Sequence, residues 1–389
     1  MYWYYFPAIT FVLALAHIVP NLRNLIYVHV LFDKRYWQNR TAFPLRVGVF
    51  VPCKGAFSAL EQNLEAMARQ EYENFTVTYI SESNEDPANQ AIERIVRRYP
   101  HCQHVISGPT VSCGQKNHNL LKGLARDSES EVLVFCDADI RPPPKWLSAL
   151  VSSLTADDVS VTTGFLWITP SHQTLASTLH SMMMAYQATF ISSNSMKMIW
   201  GGTIAIWSGT FEQLKVAEEW SRTAADDTTL SRLLRSTKAK KVYNPQCLVT
   251  SNEAASSVRE VIDWFTRQIL SLKFYLRPLW LVTLAVYVPS SLIMMMAGPL
   301  MIAGLFYGTL RIVGLICLCF SVVVMLAHTS MKLTCRDGQS ALRWFLISPL
   351  AQWIATYSLV KTVFIRKIQW ADVTYRLDRK GRVVGIDKN

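Results

Sequence analysis

The sequence predicts an α/β domain built on a parallel sheet, with membrane helices before and after it in the chain. Between about residues 45 and 275, short β-branched runs alternate with helical patterns, which is typical of parallel strands joined by right-handed crossovers. Apolar segments without charged side chains flank this region on both sides. Half of the 389 residues are apolar and 17% are charged, against about 25% in soluble domains. This composition excludes a disordered protein and a fibrous repeat.

The first apolar segment, Tyr2–Val19, is close to the ~20 residues that a membrane-spanning helix needs. A cleaved signal peptide would carry basic residues before its apolar core and small residues after it, and neither is present. We therefore expect an uncleaved anchor over residues 1–32, with Leu22–Phe32 as an interfacial continuation. The basic residues after the segment predict that the next domain lies in the cytosol. They are Arg23, Lys34, Arg35, Arg40 and Arg46.

A second membrane region is expected over residues 278–365. Pro278–Leu310 carries no charge and predicts one helix near Trp280–Ala303, after which Ile312–Ser330 returns to the cytosolic side. The third block, Trp344–Val360, is interrupted by Pro349.

If the third block spanned the membrane, the basic tail of residues 366–389 would lie outside, against the charge rule. We therefore expect a broken, re-entrant or interfacial segment and a cytosolic tail. The cations of the tail are Arg366, Lys367, Arg376, Arg379, Lys380, Arg382 and Lys388.

The elements of the α/β region, residues 45–275, follow from apolar runs and helix-start signals. Ligands of such folds bind beyond the carboxyl ends of the strands. The expected strands are Arg46–Pro52, Phe75–Ser81, His104–Ser107 and Glu131–Cys136. The expected helices run from a capping box at Ser58–Glu61 to about Gln70, from Asp86-Pro87 to about Arg98, over Gln115–Ala125 and over Pro142–Leu154.

Charge and cysteine usage narrow the partners. Lys and Arg number 39 against 28 Asp and Glu, a net charge of +11. Nucleic acid or an anionic membrane leaflet would each explain this balance, and the apolar segments favour the membrane, so no nucleic-acid partner is expected. The eight cysteines form no CxxC pair and no zinc-like spacing with histidine, so we expect reduced cysteines.

Two carboxylates, Asp137 and Asp139, follow the strand that ends at Cys136. On an extended segment both can face one hard cation. Oxygen ligands of this kind suit Mg²⁺ or Mn²⁺, which also bind the phosphates of a substrate. A solvated turn with two acids is the structural alternative, because Asp-x-Asp is a short motif.

Polar groups also follow the second strand and open the third helix. Glu82 could accept hydrogen bonds from a nucleobase edge, whereas Asp86 is better suited to cap the next helix. Gly114 permits a close approach to the helix N-terminus behind it, and Lys116 adds a charge suited to phosphate. The motif GxxxxGK[ST] is absent, so this is no Walker loop. We expect His118 to be packed or at the surface.

A further pair of acids, Asp226 and Asp227, opens a helical run that ends near Arg235. Residues i and i+1 point to different faces, so one acid is expected to cap the helix and the other, Asp227, to act as a general base. Gly201-Gly202, upstream, either lets an acceptor approach the backbone or forms a turn.

The order of these signals along the chain resembles the family 2 type of nucleotide-sugar glycosyltransferases, which have the GT-A (Rossmann-like) fold. The likeness covers roughly residues 45–275, and the flanking membrane helices also fit. It is greatest to the ceramide glucosyltransferase-like branch, through Glu85–Ala88, Asp137–Arg141 and Asp226-Asp227. The tail around Trp370 and Tyr375 resembles a short segment after the last helix of such enzymes.

The resemblance assigns roles by position. It implies that Glu82 contacts the base of a nucleotide-diphosphate sugar, such as a UDP-sugar. Asp86 and Lys116 are also expected among the residues that bind the nucleotide sugar. It implies that Asp137 and Asp139 hold the diphosphate and a Mn²⁺ or Mg²⁺ cofactor. In the acid pair, Asp227 matches the catalytic base.

The sequence departs from the family pattern after the base. The family carries (Gln/Arg)-x-x-Arg-Trp on an amphipathic helix, here expected over Ser256–Leu272, whereas this chain has Arg267-Gln268 followed by Leu270-Ser271. Trp264 lies one turn before Arg267 and either replaces the stacking Trp or anchors the helix at the interface. Lys273 is the expected substitute for the lost cation.

These observations predict an inverting, metal-dependent membrane enzyme that transfers a hexose, such as glucose, to a lipid hydroxyl, such as that of ceramide. The catalytic domain is expected on the cytosolic face of a bacterial inner membrane or of a Golgi or ER membrane. A processive polysaccharide synthase is the first alternative, although the three or four apolar segments are few for a translocation channel. A non-enzymatic receptor or transporter subunit is the second, and its spans should carry polar groups, of which almost none are evident here.

Overall fold

A computed structural model describes residues 5–31, 45–156, 158–251, 254–335, 337–370 and 373–388. The chain forms two compact units. The sheet unit comprises the described residues within Phe32–Trp167, Ile191–Ser251 and Arg366–Asn389. The helical unit comprises those within Met1–Leu31, Ile168–Phe190 and Asn252–Ile365.

The sheet unit is built on a seven-stranded sheet with the order β3-β2-β1-β4-β6-β5-β7. All residues of β1 except its last are buried, as expected for a strand covered on both faces. The strands are β1 (Val47–Pro52), β2 (Phe75–Ser81), β3 (Cys102–Ile106), β4 (Val132–Cys136), β5 (Val159–Ile168), β6 (Thr203–Trp207) and β7 (Lys240–Ser251).

The expected parallel pairing is confirmed for the four strands predicted from sequence, whereas β6, which was not predicted, runs antiparallel. β1 pairs in parallel with β2 and β4, and β2 with β3. β6 runs antiparallel to both β4 and β5, because the chain reverses through β5 before it enters the sheet beside β4. This pairing sets Thr203, the first residue of β6, opposite Cys136, the last residue of β4. The Gly201-Gly202 segment therefore lies beside the Asp137 turn.

Helices cover the sheet and differ from the expected ones mainly at their starts. The helix expected from the capping box at Ser58 begins at Leu60, and its N-cap, Ala59, has no side-chain hydrogen bond, so that box is wrong. The helix expected from Pro142 begins only at Trp146, so Pro142 precedes it instead of forming its first turn. The helices are α2 (Leu60–Ala68), α3 (Asn89–Arg98), α4 (Gln115–Leu124), α5 (Trp146–Leu154), α7 (Ser208–Gln213), α8 (Val216–Trp220) and α9 (Asp227–Arg235).

Aromatic packing joins the central strands to the helices that carry the site. Phe50 of β1 lies 5.6 Å from Phe135 of β4 between ring centroids, and Phe135 lies 5.0 Å from Trp220 of α8. All three are fully buried. Burial of one such side chain contributes about 1.5–3 kcal/mol, so this contact fixes the end of α8, from which the chain runs to Asp226.

The helical unit contains three helices long and apolar enough to cross a membrane: Tyr5–His29, Arg277–Ala303 and Gly308–Leu333. They pack through a core that includes Leu13, Met294 and Phe320. The helices of this unit are α1 (Tyr5–Ile26), α6 (Leu175–Ile191), α10 (Val258–Tyr275), α11 (Arg277–Ala303), α12 (Gly308–Ser330) and α13 (Ala341–Phe364).

The segment around Pro349 is one continuous helix, α13, so the expectation of a broken segment is wrong. Ser340 caps it by accepting a hydrogen bond from the Arg343 backbone N–H, at 3.2 Å. Pro349 is tolerated inside an otherwise uninterrupted helical run. Within the described residues α13 is not among the helices that qualify as spans.

Buried histidines in the apolar helices contradict the expectation of spans without polar groups. His17 Nε2 lies 3.0 Å from Ser290 Oγ, and His328 Nε2 lies 3.3 Å from His17 Nδ1. The hydroxyl of Tyr186, on α6, lies 3.0 Å from His328 Nδ1. These groups satisfy one another, which is how polar side chains are accommodated between membrane helices.

The tail forms a three-stranded antiparallel sheet that belongs to the sheet unit. Its strands are β8 (Lys367–Trp370), β9 (Val373–Leu377) and β10 (Val383–Lys388). Arg232 of α9 donates to the Lys380 carbonyl at 2.9 Å, so the tail packs on the fold rather than standing apart as a charged extension.

Candidate active site

The carboxyl end of β4 carries Asp137 and Asp139 in a turn whose backbone is held by a side chain of α2. The Ala138 carbonyl accepts a hydrogen bond from Asn63 Nδ2 at 3.1 Å, and Ala138 and Ile140 are buried. Asp139 is exposed, whereas the side chain of Asp137 is 31% exposed. The two carboxylates therefore stand at a rim where a ligand can reach them.

Lys116, in the first turn of α4, joins this turn to the second acid pair. Its Nζ lies 2.7 Å from Asp137 Oδ1 and 3.0 Å from Asp226 Oδ2. It also donates to the Gly201 carbonyl at 3.3 Å. Burial opposes the charge on Lys116, yet the two carboxylates hold its pKa above the ordinary value. Lys116 thus acts as an internal cation between the acids, a position that sequence reasoning did not foresee.

Asp226 and Asp227 occupy different environments although they are adjacent. Asp226 is the N-cap residue of α9, but its side chain makes no capping hydrogen bond, so the expected cap role is wrong. Its carboxylate is buried and faces Lys116 instead. Its backbone carbonyl accepts from Trp220 Nε1 at 3.0 Å and from the Leu230 N–H at 3.0 Å.

Asp227 is held by two backbone donors. The Thr228 N–H donates to its Oδ1 at 2.5 Å, and the Gly201 N–H donates to its Oδ2 at 3.3 Å. Burial, and then repulsion from Asp226, raises the pKa of Asp227 to about 7, although Lys116 counteracts the rise. Burial also raises the pKa of Asp137. A carboxyl whose pKa lies near neutrality is suited to exchange protons with a substrate.

Gly201 is the close-approach position of the site. A Cβ built there would lie 3.0 Å from Asp226 Oδ2, 3.1 Å from Lys116 Nζ and 3.3 Å from Asp227 Cβ. At Gly202 a Cβ would fall 2.2 Å from the ring of Trp200. A side chain at Gly202 would therefore displace the Trp200 ring, whereas one at Gly201 would require the surrounding side chains to move by a few tenths of an ångström.

The two acids after β2 separate into different roles. Asp86 Oδ1 accepts hydrogen bonds from the N–H groups of Gly55 and Ala88 at 2.8 and 2.9 Å, so its side chain holds the loop after β1 and the turn before α3. The N-cap residue of α3 is Ala88, so the expected cap role of Asp86 is wrong. Glu82 lies directly after β2, at the same carboxyl edge as Asp137 and two strands away. A ligand along this edge would meet Glu82 and Asp137 in turn.

The comparisons with known proteins decide the family. A model of glycosyl transferase family 21 matches residues 10–383. The chain belongs to glycosyl transferase family 21. The resemblance found from sequence is confirmed at the level of a glycosyltransferase, and the ceramide glucosyltransferase-like branch is consistent with family 21.

A solved structure shows which fold the family 21 transferase has. The mannosyltransferase PcManGT from Pyrobaculum calidifontis, in complex with GDP-Man and Mn²⁺, aligns with a TM-score of 0.50 at 15% identity, over 92% of this chain and 99% of its own. The transferase thus has the GT-A-like α/β fold expected from sequence.

Two further structures align more weakly. GalNAc-T7 with UDP, GalNAc and Mn²⁺ gives a TM-score of 0.41 at 11% identity, over 59% of this chain and 48% of its own. TarS of S. aureus gives 0.40 at 13%, over 58% and 40%. The chain spans less than half the length of these two proteins.

Helix α10 of the family 21 transferase carries the residues expected to replace the missing Arg-Trp. Trp264 packs edge-on against His180 of α6, with ring centroids 4.5 Å apart. This contact is compatible with a stacking residue and with an interfacial anchor. Arg267 is exposed and Gln268 is half-buried. Lys273 Nζ donates to the carbonyls of Thr362, Val363 and Ile365 at 2.6, 3.2 and 2.7 Å. Lys273 thus caps the end of α13, and its expected role as a substitute cation is wrong.

His180 is a residue that sequence reasoning missed. Its Nδ1 accepts a hydrogen bond from the Ala255 N–H at 3.0 Å, and burial lowers its pKa to about 4. It is therefore a neutral acceptor that ties α6 to the segment before α10. No motif in the sequence identifies it, because its partners are far along the chain.

Proposed function

We propose that this family 21 transferase moves a hexose, such as glucose, from a nucleotide-diphosphate sugar to a lipid hydroxyl, such as that of ceramide, with inversion at the anomeric carbon. The observation that carries the proposal is Asp227. Its carboxylate is fixed by the Gly201 and Thr228 N–H groups, and its pKa is raised to about 7. A general base for a hydroxyl needs this combination of fixed position and near-neutral pKa.

The reaction is a single displacement. The acceptor oxygen forms a bond to the anomeric carbon while the bond from that carbon to the diphosphate oxygen breaks, and the diphosphate leaves with the electron pair. Asp227 takes the proton of the acceptor hydroxyl at one of its carboxylate oxygens. Asp226 keeps Lys116 close to this group, since their side-chain atoms lie 3.0 Å apart.

The donor set after β4 fits a divalent cation only in part. Asp137 and Asp139 supply hard oxygen ligands at an accessible turn, as Mn²⁺ or Mg²⁺ requires. Among the described residues no group of three His, Cys, Asp or Glu side chains forms a complete metal site. The missing ligands would be phosphate oxygens of the donor. Asp137 and Asp139 would hold the cation, which when bound supplies positive charge against the leaving diphosphate.

Lys116 adds a fixed positive charge to the same region. Its ammonium group pairs with Asp137 and Asp226 and offsets one of their two negative charges, which reduces the repulsion that a diphosphate would meet here. Glu82 is the proposed contact to the nucleobase, at the far end of the same strand edge. Preorganised charges of this kind supply much of the rate of group transfer when the leaving group is good.

A lipid acceptor is favoured by the membrane character of the chain. Three helices meet the length and hydropathy of spans, and α10 leads directly into the first of the two that follow the catalytic residues. The tail contacts the sheet unit, so both lie on the same side of the membrane. If α11 crosses the membrane and α12 returns, α13 starts on that side and must also end there, so it does not cross fully. The proposed location is the cytosolic face of a bacterial inner membrane or of a Golgi or ER membrane, where the net positive charge of the chain would favour an anionic leaflet.

A transfer assay tests the function. Membranes that carry the protein are incubated with single radiolabelled nucleotide sugars and then extracted with organic solvent. One sugar should enter the lipid phase, and membranes with Asp227→Asn serve as the control, with almost no labelled lipid. Label in a water-soluble polymer would identify a processive synthase instead, and no transfer from any donor would refute the proposal.

A further inference from the structure

The tail reaches the candidate site through a tyrosine. The Tyr375 hydroxyl, on β9, accepts a hydrogen bond from the backbone N–H of Gln115 at 3.1 Å. Gln115 is the first residue of α4, and Lys116 follows it. The first N–H groups of a helix have no partner within the helix, so this hydroxyl satisfies one of them and fixes the start of α4.

A second attachment lies on the segment that leads to the acid pair. The Val383 N–H, at the start of β10, donates to the Arg222 carbonyl at 2.8 Å, and Arg382 forms an antiparallel bridge with Thr223. On its other side, the Thr223 carbonyl accepts from the Gly114 N–H and from Asn117 Nδ2, both at 2.9 Å. The residues just before Asp226 are thus held between α4 and the tail.

The contact between the start of α4 and the segment before Asp226 is tightly packed. A Cβ at Gly114 would lie 2.5 Å from the carbonyl oxygen of Ala224, so the start of α4 and the segment before Asp226 touch backbone to backbone. Thr223 and Asn117 are fully buried. A close-packed interior transmits a displacement rather than absorbing it. A shift of the tail would therefore move Lys116 on one side and Asp226-Asp227 on the other.

We propose that the tail, residues 366–388, is a positioning element of the transferase site, and that Tyr375 and Val383 set the geometry of Lys116 and Asp227. The inference rests on the proposed function, because it specifies what the tail does for that reaction. Tyr375 and Val383 touch neither donor nor acceptor; they act through α4 and through the segment 222–227.

A tail with many cations has a competing explanation, which is attraction to an anionic leaflet. Arg379 and Lys380 are exposed and lie in the turn between β9 and β10. A membrane-binding role predicts that these charges matter and that the Tyr375 hydroxyl does not. Positioning predicts the reverse, so the two explanations separate cleanly.

The test compares variants of the full-length protein in lipid nanodiscs, with the donor identified by the transfer assay. Tyr375→Phe removes only the hydroxyl, and Val383→Pro removes a backbone donor and fixes φ at the first residue of a strand, where proline is tolerated. Val383→Ala keeps that donor and is the matched control. The double variant Arg379→Gln and Lys380→Gln tests charge. Turnover is measured per donor-binding site, so a smaller amount of folded protein does not lower the measured rate.

The expected result is a fall in kcat of about 10-fold for Tyr375→Phe and for Val383→Pro with a donor KM within about 3-fold of wild type, since small misplacements slow the chemical step more than binding. Val383→Ala and the double charge variant should retain wild-type turnover. Hydrogen exchange in the two active-site segments, 114–117 and 222–227, should be faster in the two slow variants, and this readout needs no activity.

Two outcomes overturn the inference. If wild type transfers sugar and both Tyr375→Phe and Val383→Pro turn over and exchange as wild type does, the tail does not position the site. If the double charge variant alone loses activity, the tail acts through its charge. If wild type transfers nothing, the proposed function fails, and the exchange measurement still decides whether the tail holds the two segments.

Discussion

The two acid pairs of the site have similar sequences and opposite surroundings. Asp137 and Asp139 follow a strand at an accessible rim, and Asp139 is exposed. Asp226 and Asp227 begin a helix beneath that rim, where Asp226 is buried and the pKa of Asp227 is raised to about 7. Burial therefore separates the roles: the accessible pair can bind charge that arrives with a substrate, and the buried pair can handle a proton. Lys116 touches one acid of each pair and couples them.

The largest expected effect distinguishes the members of the buried pair. Asp227→Asn should lower turnover by about 10²–10⁴-fold, as loss of a general base does, while the protein still folds and binds donor. Asp226→Asn should lose one of the two carboxylates around Lys116, melt at a lower temperature and keep measurable turnover. Steady-state kinetics and thermal melts of both variants check this. If Asp226→Asn is inactive and Asp227→Asn is active, the assignment within the pair is reversed.

The accessible pair should respond to metal. EDTA is expected to abolish transfer, and added Mn²⁺ or Mg²⁺ to restore it, because two carboxylates and a diphosphate form a hard-oxygen site. Asp139→Asn should lose transfer and bind the nucleoside diphosphate more weakly in calorimetry. Glu129→Gln, which removes an exposed carboxylate elsewhere in the sheet unit, is the control. Full activity in EDTA would remove the metal from the mechanism.

The pH dependence should report the buried pair. Asp227 must be deprotonated to accept a proton, so kcat should fall as pH drops through about 7, well above the ordinary value of 3.8. The same shift makes the folded protein hold a proton that the unfolded chain releases, so the free energy of unfolding should decrease as pH rises from about 4 to about 7. Asp227→Asn should lose that slope. An acid limb near pH 4 in wild type would contradict a buried base.

The smallest expected effect concerns the helix that follows the site. Lys273→Gln should cost about 1.5–3 kcal/mol of stability at most, because the ammonium donates to carbonyls at the end of α13. Turnover per folded molecule should stay at the wild-type level. A melting curve combined with the transfer assay tests both statements. A large loss of kcat would return Lys273 to the site as the substitute cation.

Sequence reasoning found what lies at strand and helix ends. Asp137, Asp139 and Glu82 follow apolar runs, and Asp226-Asp227 open a helix, so local pattern was enough to bring them to one edge of a predicted sheet. The antiparallel direction of β6 was not predicted. Alternation of strands and helices does not indicate the direction of a strand that follows a long connection. Without that direction, Gly201 could not be recognised as the contact of both acids.

Other features depend on partners far along the chain. The hydroxyl of Tyr375 meets α4 across 260 residues, and His17 meets His328 across 311. The two histidines were overlooked because each stands alone in an apolar run, and only packing shows that they satisfy each other. The cap assigned to Asp226 failed for the same reason: the Lys116 ammonium outcompetes the local backbone for its carboxylate.

The attachment of the tail has a consequence for biosynthesis. Gln115 and Arg222 leave the ribosome before the three apolar helices have all been made, whereas Tyr375 and Val383 leave it after them. A nascent chain therefore lacks these contacts until all three apolar helices have been synthesised. If the tail positions the site, sugar transfer would begin only after all three apolar helices have been made.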